Sequence, residues 1–124
     1  MTRRAAIETS ARLAIIEQSG TAAMILTEGV ERDELLRSRG TRAEVQRQLR
    51  MLTDSAAGIV PEVRAALPEI DWSGWKAIGV QLRLPPGVVL DDALWFACEA
   101  LVPATLLWLR VHRRSQPALF QMTM

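Results

Sequence analysis

Apolar residues recur along this chain at the three- and four-residue spacings of amphipathic helices throughout. The clearest run is Val45, Leu49, Leu52, Ala56, Ile59 and Val63, separated by 4, 3, 4, 3 and 4 positions, a seam along which one helix packs lengthwise on another. Thr41-Arg42-Ala43-Glu44 precedes it with the order of a capping box, in which the threonine hydroxyl and the glutamate satisfy each other's backbone N–H groups. A long helix is therefore expected to start there, to bend at Pro61 and to stop at Leu67-Pro68. Upstream, residues 3–27 are expected to form a first helix with Ile7, Ala11, Ala14 or Ile15, Met24 and Ile25 facing inward. An interruption is expected at Gly20 and an end near Gly29, with a short helix over residues 31–39 that ends at Gly40. Downstream, Asp71 or Trp72 opens a helix to about Arg83. Pro85-Pro86-Gly87 then reads as a turn in which Gly87 takes the positive φ of type II. The last helix is expected to start near Asp91 and Asp92 and to end among Arg110, His112, Arg113 and Arg114, charges that suit its dipole. These elements add up to an all-α, up-and-down bundle of four to five helices. One domain is expected over residues 1–124, with a helical core at about 3–114 and a tail at 115–124.

The last helix carries Leu94, Cys98, Leu101, Thr105 and Trp108 on one face, and Phe96, Ala100, Pro103 and Leu107 on the other instead of charges. A helix apolar nearly all round exposes a second face in a small bundle unless a partner covers it. A two-fold homodimer is the simplest expectation, with Leu94, Phe96, Leu101, Leu107 and Trp108 as candidate interface residues.

The 124 residues are 49% hydrophobic and 23% charged, a globular balance that excludes a disordered tail, a collagenous repeat or a disulfide scaffold. Fifteen basic against fourteen acidic residues leave a net charge of +1, which provides no bulk attraction to nucleic acid. Lys76 is the only lysine, so local anion binding would fall mainly to arginine forks. With one histidine, one cysteine and no tyrosine, few groups remain for acid, base or nucleophile chemistry near neutral pH. Cys98 alone makes neither a disulfide nor a zinc cluster, so a reducing, cytoplasmic location is expected, with no metal and no cofactor. The charged N-terminal segment lacks a signal-peptide core. The longest uncharged stretch near the C-terminus, residues 100–109, is too short to cross a bilayer, so no membrane span is expected.

The order of helices, and several residues within them, resembles the HepT-like proteins of the HEPN superfamily, the toxin halves of nucleotidyltransferase-paired toxin–antitoxin systems. The resemblance covers roughly residues 5–110. It is sharpest at Leu67-Pro68-Glu69-Ile70-Asp71-Trp72, which is similar to the family's Pro-Glu-Ile-Pro-Trp approach to the catalytic helix. Gly79 matches a glycine of that helix, Leu94-Trp95 matches a hydrophobic-Trp pair, and Leu101-Val102-Pro103 matches the Leu-Pro that follows. Asp54 falls near the glutamate of the family's Gly-Glu-Ala turn.

The family's ribonuclease motif is Arg, four residues, His, one residue, Tyr. Aligned from Gly79, its three positions fall at Gln81, Pro86 and Val88. Shifting the frame to Arg83 recovers the arginine and places Val88 at the histidine. Metal-independent RNA cleavage needs a base for the ribose 2′-hydroxyl and a cation for the phosphate, and proline and valine supply neither. His112 lies about 30 Å of helix beyond the turn at 1.5 Å per residue, so it would meet Arg83 only across an antiparallel dimer. The tyrosine that a partner nucleotidyltransferase modifies in the family is also missing.

The resemblance therefore implies a dimeric binding protein that pairs with a nucleotidyltransferase-type partner. The alternatives are a ribonuclease with a composite site of Arg83 and His112, or a free-standing oligomeric scaffold. RNA contact would fall to Arg42, Arg47, Arg50 and Arg64, but with Glu44, Asp54 and Glu62 interspersed they fit a solvated or intersubunit salt-linked face better than a nucleic-acid groove. Trp72, Trp75, Trp95 and Trp108 fit core positions better than base-stacking ones. Cys98 fits a small buried hydrophobe.

Overall fold

Thr2 caps the first helix by accepting a hydrogen bond at its hydroxyl from the Ala5 N–H, 3.0 Å away. Helix α1 then runs unbroken over Arg3–Thr27, through Gly20. Gly29, the one glycine with a left-handed φ (71°), turns the chain after it. A computed structural model describes residues 2–121, and within them the elements that follow are α2 (Arg32–Arg37), α3 (Arg39–Ala57), α4 (Pro61–Ala66), α5 (Trp72–Gln81), α6 (Val88–Phe96) and α7 (Val102–Ser115). A π-turn, Ala97–Leu101, joins α6 to α7, and a 3-10 turn, Pro117–Leu119, follows α7. The described residues are helical without strands, an all-α bundle.

Helix α1 packs on α3 and α7, and α3 packs on α5. The partners of α1 fix the sense of each pairing. Arg12 meets Ser55 while Gly20 meets Leu52, and Gly20 meets Leu106 while Glu17 meets Arg113, so α1 is antiparallel to both neighbours. Between them lies a core whose fully buried members include Leu13, Ile16, Leu49, Leu52, Trp75 and Leu94. The expected seam from Val45 to Val63 is buried at all six positions, of which Ile59 lies between α3 and α4 and Val63 in α4.

Helix α1 buries a different face from the one expected. Ile7, Ile15, Met24 and Ile25 are exposed, whereas Thr9, Ser10, Leu13, Ile16, Ser19, Gly20 and Ala23 face inward. The Ser10 hydroxyl donates to the Ile7 carbonyl and the Ser19 hydroxyl to the Ile15 carbonyl. Satisfied within their own helix, these short side chains enter the core at little cost and let helices approach closely. A Cβ at Gly20 would lie 3.3 Å from Leu106 Cδ2.

The boundaries around α3 and α4 also depart from expectation. Helix α3 begins at Arg39, so Gly40 and Thr41 are inside it and no capping box forms. Glu44 instead accepts from Arg47 and Gln48, which hold its carboxyl down at about 2. The helix stops at Gly58, and Pro61 opens α4 rather than bending α3. A proline is well placed there, since the first-turn N–H has no intrahelical acceptor to lose. Gly87 precedes α6 with φ 165°, extended backbone rather than the positive φ of a type II turn.

From Val88 to Ser115 the chain forms one continuous 28-residue rod. Pro103 has no N–H and its ring crowds the carbonyl four residues back. The preceding turn widens accordingly, and the Val102 N–H bonds the Ala97 carbonyl five residues away. By length and composition the rod is long enough and apolar enough to cross a bilayer, which the uncharged stretch at 100–109 underestimates. About two-fifths of its apolar window is packed inside the bundle and Glu99 is exposed on it, so one such helix, judged by length and composition alone, is not a convincing span. The expected tail is partly docked: Leu119 and Phe120 pack against the core, and Arg113 lies 5.1 Å over the Phe120 ring.

Candidate functional site

Gly79 brings α5 close to α3, where a Cβ on it would lie 3.3 Å from Thr53 Cβ. Beside this contact a groove of about 340 Å³ opens between the two helices, lined by Thr53, Asp54, Ala57, Trp75, Lys76, Gly79, Val80 and Arg83. It adjoins a second recess of about 300 Å³, where Thr53, Ala57 and Lys76 are shared and Arg64 and Trp72 are added. At the mouth, Arg83 donates to Asp54 at 2.9 Å, an ion pair open to water on both sides. Lys76 and Arg64 have no ion-pair partner among the described residues. The lining is therefore mostly apolar, with unpaired cations at its edge, suited to holding an anionic group or an apolar side chain. No histidine, cysteine or tyrosine lines it.

The residues expected to carry chemistry do not converge. Arg83 is at this groove. Gln81 ends α5 and lines a different recess with Val89, Asp92 and Phe96. Pro86 is exposed in the connection after α5, and Val88 is the first, solvent-facing residue of α6. His112 is buried at 7% exposure and engaged elsewhere. Its Nε2 lies 2.6 Å from Glu69 Oε1, its Nδ1 lies 3.3 Å from Gln116 Nε2, and Trp108 sits at a ring separation of 6.0 Å. Gln116 Nε2 also donates to the Ala66 carbonyl at 2.8 Å. Because that amide nitrogen donates, Nδ1 is assigned as the acceptor and Nε2–H as the donor to Glu69. His112 thus does more than cap its own helix: it clamps α7 to the α4–α5 connection.

Several other candidates resolve into structural roles. Arg42 pairs with Asp91, Arg47 with Glu44, and Arg32 with Asp92 at 2.5 Å, so part of the expected arginine strip is salt-linked. The pairs at Asp91 and Asp92 tie the start of α6 to α3 and α2. Trp75 is buried and its indole N–H donates to Thr105 Oγ1 at 2.9 Å, while Trp72 donates to the Leu67 carbonyl. Cys98 is buried, and desolvation pushes its thiol up to about 11, despite the Thr27 hydrogen bond that opposes the rise. Leu94 and Leu101 belong to the chain's own core, at 0% and 6% exposure. Of the candidate interface residues, this leaves Phe96 and Leu107 half-exposed and Trp108 partly so. Among the described residues no three His, Cys, Asp or Glu side chains converge to hold a metal ion.

Sequence reasoning missed Glu69 as the partner of His112, although Glu69 stands in the Leu-Pro-Glu-Ile-Asp-Trp segment it had singled out. No family model matches this chain, and neither does any curated protein or solved structure.

Proposed function

We propose that this chain is a non-nucleolytic, HepT-like binding protein that acts as a homodimer and engages a nucleotidyltransferase-type partner. The observation that carries the loss of nuclease chemistry is the placement of its one imidazole. His112 is buried between Glu69 and Gln116, whereas the exposed loop that would hold a catalytic histidine carries Pro86 and leads into Val88. The guanidinium nearest that loop, Arg83, is paired with Asp54, and no imidazole lines the groove beside it to take the proton of a ribose hydroxyl. The apolar outer face of the α6–α7 rod supports association with a second chain.

The competing ribonuclease reading requires His112 to leave Glu69 and meet Arg83 across a dimer. Incubating the purified full chain with bulk tRNA and messenger RNA decides between the two. The proposal expects intact RNA; cleavage that disappears on Arg83→Ala or His112→Ala would overturn it. Co-purification with a small nucleotidyltransferase tests the partner. Self-association without any capture of such an enzyme would favour a free-standing scaffold and remove that half of the proposal.

A further inference from the structure

The outward face of the α6–α7 rod carries apolar residues along its length, with Val89, Phe96, Ala100, Pro103, Leu107 and Val111 all exposed among a few charges. Toward its C-terminal end, Leu107, Arg110, Val111 and Arg114 frame a recess of about 520 Å³. Their positions are i, i+3, i+4 and i+7, the four-residue hole that receives one side chain from a facing helix. A fitting knob stands on the same rod: the Phe96 ring, half-exposed. Phe96 lies seven residues before Pro103, and the hole is centred seven to eight residues after it. Knob and hole thus stand about equally far from Pro103 in sequence, the hole about 11 Å beyond it along α7 at 1.5 Å per residue.

We propose that two copies of this chain pair antiparallel along the α6–α7 rod about a two-fold axis at Pro103, each inserting Phe96 into the Leu107–Arg110–Val111–Arg114 hole of the other. This rests on the dimeric reading above and specifies its face and symmetry. Residues nearest the axis, Ala100, Pro103 and Ala104, are small and uncharged, so the rods approach closely. Charge obeys the same operator. Among the described residues Glu99 is exposed without an ion pair, as are Arg110 and Arg114. The axis carries Glu99 to the level of the other copy's Leu107, one turn from its Arg110. The two guanidinium groups that rim the hole flank the inserted ring, where a cation is attracted to its face. A parallel pairing would set arginine against arginine and leave the holes empty.

The test is the mass and dissociation constant of the full chain by light scattering and sedimentation, with variants. The expected result is twice the 13.8 kDa chain mass. Phe96→Glu should weaken dimerisation by about tenfold or more. Glu99→Arg should weaken it as well, and adding Arg110→Glu in the same chain should restore it, a rescue that a folding defect would not produce. Pro103→Cys should cross-link to its own copy under mild oxidation. A dimer indifferent to Phe96→Glu that does not cross-link at 103 would overturn this interface while leaving the dimeric binding protein standing. A monomer up to high concentration would overturn both. Binding to phosphatidylcholine vesicles that is lost in Phe96→Glu would make lipid the occupant and overturn the proposed pairing.

Discussion

Glu69 holds His112 at 2.6 Å across 43 residues of sequence, fastening the end of α7 to the connection between α4 and α5. The Gln116 amide extends the clamp to the Ala66 carbonyl.

Glu69 gives the fold a pH dependence of known sign. The carboxyl of Glu69 is held below its ordinary value of 4.5, chiefly by its own backbone N–H and then by His112. A carboxyl lowered in the folded state adds stability above its unfolded pKa and loses that addition as the pH falls through the folded one. Glu69→Gln should therefore lower the urea midpoint at neutral pH, and its gap from the native protein should close as the pH drops below 4.5. An equal gap in neutral and acidic buffer would show that the carboxylate charge contributes nothing.

Thr105 accepts the indole N–H of Trp75 inside the core. Thr105→Val keeps the volume but leaves that donor without an acceptor, a loss of about 1–3 kcal/mol in chemical unfolding. In a Trp75→Phe background the donor is absent, and the same valine substitution should cost under about 1 kcal/mol. Equal costs in the two backgrounds would assign the effect to packing alone.

Cys98 should be inert in the native protein. Its thiol is raised from 9.0 to about 11, so the reactive thiolate is about a hundredfold scarcer at mildly alkaline pH, before access is considered. Labelling with iodoacetamide should be at least that much slower than in the urea-unfolded chain. Comparable rates would mean that the α6–α7 junction opens readily.

Arg83→Ala should be almost silent in stability. Arg83 and Asp54 are 60% and 64% exposed as side chains, and pairs so open to water contribute under about 1 kcal/mol. Its thermal unfolding should track the native protein, which makes the variant a clean probe of RNA cleavage. A larger loss of stability would mean that the α3–α5 groove depends on this pair.

Much of the helical framework is legible along the chain. Large aliphatic side chains at alternating threes and fours mark the buried side of α3, and Asp71, Leu67-Pro68 and the two prolines after α5 mark boundaries near where they occur. The α1 face is not legible in this way. Periodicity counts Ser10 and Ser19 as polar, and only the folded helix shows their hydroxyls satisfied by its own carbonyls. Position 61 carries similar ambiguity, since proline can bend a helix or begin one, and the break at Gly58 decides it.

The candidate site divides along the same line. The family resemblance singles out Arg83 and Asp54 and puts Pro86 and Val88, which move no proton, at motif positions; composition singles out His112 as the one histidine, and periodicity finds an apolar second face on the last helix. Partnership is a property of packing. Arg83 reaches Asp54 across 29 residues and His112 reaches Glu69 across 43, separations that local periodicity does not encode. Which helices lie side by side, and with them which of Leu94 and Phe96 is core and which is surface, is decided only when burial of the whole apolar complement selects one arrangement of the helices.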